Sequence, residues 1–142
     1  MTDTLVKTLY TAQATVTGGR AGHARSSDGL LEVDLRVPEP MGGPGGGTNP
    51  EQLFAAGYAA CFQSALGTVG RRQKVDTDDS TVTARVSIGT IGGGAYGLAV
   101  TLEVSIPRVD ADIARTLVEA AHAVCPYSNA TRGNIEVALV IA

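Results

Sequence analysis

Cys61 and Cys125 are the only cysteines in this chain, and they are the residues best suited to redox chemistry. Taken singly, each reads as a small hydrophobe, which is what a free cysteine in an apolar helix usually is. As a pair they read differently, because two thiols on inward helix faces can meet and bond. Metal binding is the weaker reading. The soft ligands are Cys61, Cys125, His23 and His122, and no C-x-x-C or H-x-x-x-H spacing occurs among them. An acyl-transfer enzyme would need Cys61 as nucleophile with His23 or His122 as base. A dimeric module that binds an apolar ligand, with both thiols inert, is the non-enzymatic reading. His122 stands three residues before Cys125 and reads most simply as a polar residue on a helix surface. Arg20 follows two glycines at a strand end and reads as solvated. Glu51, in a first helical turn, reads as a capping and dipole partner.

The elements that must carry these residues follow from periodicity. Val6, Thr8, Tyr10, Ala12, Ala14 and Val16 alternate as one face of a strand, which Gly18 and Gly19 end. A short segment from His23 to Ser27 precedes an Asp28-Gly29 turn. Leu31, Val33, Leu35 and Val37 make the next apolar face, with Glu32, Asp34 and Arg36 outward, and Pro38 and Pro40 stop it. Gly42 to Gly47, five glycines and Pro44, reads as a flexible loop. It lacks the Lys-Ser/Thr ending of a phosphate loop.

The first helix has several start signals. Asn49 suits the cap, Pro50 the first helical position, and Thr48 with Glu51 has capping-box spacing, so the helix is predicted to run to about Arg72. A hairpin follows, with Val82 to Ile88 and Leu98 to Ile106 alternating and the glycines at 92 to 94 turning. A second helix starts at Asp110 or Asp112. Ala114, Leu117, Val118 and Ala121 make its apolar stripe, with Cys125 on the same side, and Pro126 ends it. Ile135, Val137, Leu139 and Ile141 form the last strand. This order predicts one α+β domain over residues 1–142, with mostly antiparallel sheet. The first helix is apolar on every side, so a dimer that buries it is expected.

Bulk properties exclude several classes. A chain of 142 residues with 44% apolar content is neither a disordered tail nor two ordinary domains. A net charge of -3, with Arg71-Arg72 as the only basic pair, argues against nucleic-acid binding. The amino terminus has no basic start followed by an apolar stretch, so a cytoplasmic setting is expected. Leu53 to Gly70 is uncharged and long enough for a membrane span, but it is rich in glycine, alanine and polar residues and lacks aromatic anchors, so no membrane association is expected.

Two longer strings carry a family resemblance. The first is Thr48-Asn49-Pro50-Glu51-Gln52-Leu53-Phe54-Ala55-Ala56-Gly57-Tyr58-Ala59-Ala60-Cys61-Phe62. The second runs Val124-Cys125-Pro126-Tyr127-Ser128-Asn129-Ala130-Thr131-Arg132-Gly133-Asn134, and Gly18-Gly19-Arg20-x-Gly22 adds a third segment. Together they closely resemble the organic hydroperoxide resistance proteins, a branch of the family that includes the osmotically inducible protein C. The pattern departs from that family at Pro38 to Gly47, where the loop is shorter and carries Glu39-Pro40-Met41. The resemblance implies an intertwined homodimer that reduces alkyl or fatty-acid hydroperoxides. It assigns Cys61 as the peroxidatic thiol, Cys125 as the resolving one, and Arg20 with Glu51 as the pair that activates the thiolate. It further implies a dithiol reductant, a lipoyl group on a carrier protein, and no metal, flavin or haem cofactor. The apolar neighbours Phe54, Tyr58, Phe62 and Tyr127 suit such substrates.

Overall fold

Short alternating segments separated by glycine build the first of two sheets. The computed structural model describes residues 4–142, and the chain divides after Pro50 into two units, each with its own sheet. In the first unit β1 (Ala14–Thr17), β2 (His23–Ser26) and β3 (Glu32–Asp34) pair antiparallel in that order. A turn of 3-10 helix, Gly19–Ala21, joins β1 to β2 and carries Arg20. Between β2 and β3 the Asp28 carboxylate accepts from the Ser26 hydroxyl at 2.6 Å and the Leu30 N–H at 3.0 Å, with Gly29 at φ 76°. This is the turn expected from Asp28-Gly29.

Three expectations for this unit need correction. The alternation from Val6 does not make a long strand: only Ala14–Thr17 pairs, and Val6, Leu9 and Tyr10 are exposed. A strand needs a ladder partner, and β2 offers only four residues. The next strand is also shorter than Leu31 to Val37. Leu35 leaves the ladder for an isolated bridge to Thr48 and is buried, while the Arg36 guanidinium turns back to the Gly22 carbonyl at 3.0 Å. Finally, the glycine run is a tight, hydrogen-bonded turn rather than a slack loop. Gly45 N–H donates to Val37 O at 3.0 Å, and a Cβ on Gly43 would lie 2.1 Å from that same oxygen. Close backbone approach accounts for the glycine there.

The second unit contains α1 (Pro50–Gln73) from Glu51 on, β4 (Thr81–Gly92), β5 (Ala95–Ser105), α2 (Ala111–Val124), α3 (Pro126–Thr131) and β6 (Val137–Ile141). The helix predicted to start at Pro50 does so and ends one residue past Arg72. β4 and β5 form the expected hairpin. Gly93 and Gly94, at φ 63° and 77°, supply the two positive-φ positions that a tight hairpin turn requires. Asp110 caps α2, accepting from Ile113 N–H at 3.0 Å. The core joins Tyr58, Phe62 and Leu66 of α1, Leu102 and Val104 of β5, and Leu117 and Val118 of α2, all at or within 1% of zero exposure. Truncating such a residue to alanine costs about 2–5 kcal/mol.

Two features here lay outside the prediction. Pro126 does end α2, but it also opens a third helix, because proline suits the first position of a new helix as well as it stops an old one. β6 pairs with β5 in parallel, giving the sheet order β4-β5-β6. α1 is not covered all round within the second unit: Ala56, Ala60, Gln63 and Ser64 are exposed opposite its core face. Among the described residues no helix is long and apolar enough to cross a membrane.

Candidate active site

The two cysteines meet. Cys61 lies midway along α1, and Cys125 forms the joint between α2 and α3. Pro126 forces that joint, because the residue before a proline is pushed out of helical backbone, and Cys125 sits at φ -64°, ψ 125°. Its backbone is nevertheless held on both sides: its N–H donates to Ala121 O and its carbonyl accepts from Asn129 N–H, each at 2.9 Å. The two Sγ atoms are 3.5 Å apart, both thiols free, with Cys125 fully buried and Cys61 partly exposed. A disulfide bond is about 2.05 Å long, so a modest shift would join them.

Burial pushes the Cys61 thiol above its ordinary value, the neighbouring Cys125 adds to this, and the Tyr127 backbone N–H bonded to the sulfur works the other way. Around them Phe54, Tyr58 and Tyr127 form an aromatic cluster with ring centroids 5.6 to 6.0 Å apart. Gly57 makes room for it, since a Cβ there would meet the Tyr127 hydroxyl at 2.9 Å. Of the four aromatic residues expected to face substrate, Tyr58 and Phe62 have no accessible surface, Phe54 is half-buried and Tyr127 is 39% exposed.

A buried hydrogen-bond chain fixes α3 beneath the thiols. His122 Nδ1 is 2.7 Å from Ser128 Oγ, which is 2.8 Å from the Tyr58 hydroxyl, which in turn is 3.1 Å from Thr131 Oγ1. The Arg132 guanidinium donates to the His122 carbonyl and, at 2.7 Å, to Asn129 Oδ1. Burial, with the charge of Arg132 behind it, lowers the His122 pKa. This corrects the expectation of a surface histidine. Sequence reasoning missed Ser128 and Thr131, although their spacing after Cys125 puts both on the inner side of a single helical turn. His122 does not hydrogen-bond Cys61, and within the first unit His23 bonds Asp34 at 2.8 Å and Glu32 at 3.0 Å across β2 and β3. Cys61 also opens on a cleft of about 380 Å³, lined by Ser64, Ala65, Thr68 and Arg72 of α1 and by Val124 and Pro126.

Of the proposed activating pair, Arg20 is half-buried in the first unit and Glu51 is half-buried at the start of α1. Ten residues of helix separate Glu51 from Cys61, about 15 Å along the axis. Among the described residues no group of three or more His, Cys, Asp or Glu could hold a metal ion.

Residues 43–140 match the family model described as OsmC-like protein. The chain is 53% identical to the organic hydroperoxide resistance protein of Xanthomonas axonopodis pv. citri, over 96% of each chain. It is 48% identical to organic hydroperoxide resistance protein OhrB of Bacillus subtilis, over 92% of this chain and 96% of that one. The crystal structure of an organic hydroperoxide resistance protein from Elizabethkingia anophelis superposes with a TM-score of 0.92 at 54% identity, covering 96% of this chain and 99% of that one. With the α+β fold and both motif strings accounted for, the chain belongs to the OsmC-like family, in its organic hydroperoxide resistance branch.

Proposed function

We propose that this protein is a thiol peroxidase that reduces organic hydroperoxides to alcohols. The observation that carries the reading is a partly exposed thiol 3.5 Å from a fully buried one, in a chain that matches organic hydroperoxide resistance proteins over nearly its whole length. The Cys61 thiolate attacks the outer oxygen of the peroxide. The O–O bond breaks, the alkoxide leaves as the alcohol after taking a proton, and Cys61 becomes a sulfenic acid. Cys125 then attacks the Cys61 sulfur, water leaves, and a disulfide forms. An external dithiol, in this reading a lipoyl group on a carrier protein, reduces it by exchange. These steps need no metal or organic cofactor.

A guanidinium beside the thiolate would offset the effect of burial on Cys61 and stabilise the developing alkoxide. Arg20 is assigned that role, with Glu51 orienting it bidentately. Phe54 and Tyr127 offer apolar contact to the alkyl group, with Tyr58 and Phe62 as the wall behind. The exposed small-residue face of α1 suits burial in a homodimer, and the two units then act as one domain over residues 1–142. A cytoplasmic setting fits a pair of thiols that must be returned to the reduced state.

Stopped-flow oxidation with cumene hydroperoxide, with thiols counted before and after, tests the reading. Cys61→Ser should abolish the reaction. Cys125→Ser should undergo one oxidation and form no internal disulfide. Full activity in Cys61→Ser would end the proposal.

A further inference from the structure

The joint that carries Cys125 is a hinge with two struts across it. α2 and α3 are each held up to the joint, Cys125 N–H donating to Ala121 O and Asn129 N–H to Cys125 O. Their relative direction therefore turns on the two soft backbone dihedrals at Cys125. In an unbroken helix the His122 carbonyl would accept from the N–H four residues on. That residue is Pro126, which has no N–H to give. The Arg132 guanidinium takes its place: Nη2 donates to the His122 carbonyl, and Nη1 donates to Asn129 Oδ1 at 2.7 Å. Arg132 is the residue that closes α3 and His122 lies in the last turn of α2, so this contact spans the hinge. The second strut is the His122 ring, with Nδ1 2.7 Å from Ser128 Oγ on α3. Ser128 Oγ is in turn 2.8 Å from the hydroxyl of Tyr58, three residues before Cys61 on α1. The bracing thus runs from the helix that ends at one thiol to the helix that carries the other.

We infer that Arg132 is a positioning residue for disulfide formation: by bracing α3 against the end of α2 it holds Cys125 Sγ 3.5 Å from Cys61 Sγ. The inference rests on the reading of Cys61 as the peroxide-reducing thiol and Cys125 as its resolving partner. In that step the Cys125 sulfur bonds to the sulfenic sulfur of Cys61. The S–OH bond breaks, and hydroxide leaves as water with the Cys125 proton. The rate depends on how often the two sulfurs stand in line at contact, and a misplacement of about 1 Å costs such a reaction about a hundredfold. A guanidinium suits the brace because its rigid fork presents two donors at once, one to each side of the hinge. A charged donor also makes a stronger bond to a carbonyl than the amide N–H that proline lacks.

The test oxidises the full chain with cumene hydroperoxide in the absence of reductant and follows its reduced, sulfenic and disulfide forms by mass spectrometry of quenched samples. Peroxide attack quickens with peroxide concentration, whereas disulfide formation is first-order, so the two phases are read separately. Arg132→Gln should slow the disulfide phase about tenfold, the equivalent of about 1.4 kcal/mol. Arg132→Lys, which keeps the charge but not the fork, should fall between that variant and the wild type. Asp110→Ala removes the cap at the opposite end of α2, where the carboxylate accepts from Ile113 N–H. It weakens the same helix without touching the joint, and should leave the disulfide phase unchanged. The proposal is overturned by an unchanged disulfide phase in Arg132→Gln, or by an equal slowing in Asp110→Ala, which would mark lost stability instead of lost position. If Arg132→Gln does not fold, Arg132→Lys decides, and a wild-type rate in it overturns the proposal. Wild-type protein that cumene hydroperoxide leaves unoxidised would overturn the peroxidase reading itself, and this inference with it.

Discussion

The environment of the Cys61 sulfur sets a chemical problem. Within the chain, burial and the adjacent Cys125 both push its thiol up, and one backbone N–H from Tyr127 only partly opposes them. A thiol raised in this way holds little thiolate at neutral pH, and the thiolate is the nucleophile. On the proposed mechanism Arg20 supplies the missing cation. Removing a positive charge raises a neighbouring thiol, so Arg20→Ala should shift the pH-rate profile of Cys61 oxidation to higher pH. The rate near neutrality should fall about tenfold for each unit of that shift and recover in alkali. A profile that superposes on the wild type would assign the stabilisation of the thiolate to another group.

At the scale of elements, two histidines give the stability of the fold opposite pH dependences. His23 on β2 faces Asp34 in register on β3, with Glu32 two residues along, and these bonds raise its pKa above 6.5. Its stabilising effect is complete below that unfolded value and is lost as pH rises through the folded one. His122 on α2 has its pKa lowered, by burial first, so the unfolded chain takes up its proton before the folded one does. Its contribution is therefore complete above about 6.5 and is lost as pH falls towards the folded value. Thermal melts from about pH 5 to pH 8 should show His23→Gln flattening the alkaline side and His122→Gln the acid side. The slopes, rather than the melting temperatures themselves, are the readout. Slopes of the same sign in the two variants would contradict this account.

The same elements show what was legible in the sequence. Pro50, the glycine turn at 93 and 94, and Asp110 each act on their own neighbours, so α1, the hairpin and α2 could be read locally. The stripe that placed Cys125 inward could be read for the same reason, and Cys125 is indeed buried. What local pattern could not supply was pairing. The alternation from Val6 lacks a partner strand beyond Ala14, and nothing in Val137–Ile141 announces a parallel neighbour. Pro126 carried two meanings, stop and start, and only the first was read. The cleft residues Ser64, Thr68 and Arg72 recur at helical spacing from Cys61 and were there to be read.

For the whole molecule, Glu51 and Cys61 on one continuous helix are about 15 Å and some 80° apart. A glutamate reaches only a fraction of that distance, so a single copy would need a stretched bridge to link them. Two copies of α1 crossing antiparallel on the face that carries Ala56 and Ala60 would bring the start of one near the middle of the other. Mixing Cys61→Ser subunits with Glu51→Ala or Arg20→Ala subunits should then restore activity, because one site of each mixed dimer keeps every group intact. Mixtures that stay inactive would mean that each subunit holds a complete site.

The gap between the two sulfurs has a further consequence, for survival under excess substrate. A sulfenic acid is open to a second peroxide, which carries it irreversibly to the sulfinic acid. That encounter is bimolecular and quickens as peroxide accumulates. On the proposed mechanism the competing reaction is not bimolecular, because Cys125 Sγ lies 3.5 Å from Cys61 Sγ, and a reactant held at contact distance acts at a very high effective concentration. The race is therefore weighted towards the disulfide even when peroxide is abundant and reductant scarce. On that mechanism the protein would idle, under those conditions, in a form that a dithiol can restart, rather than be consumed by peroxide.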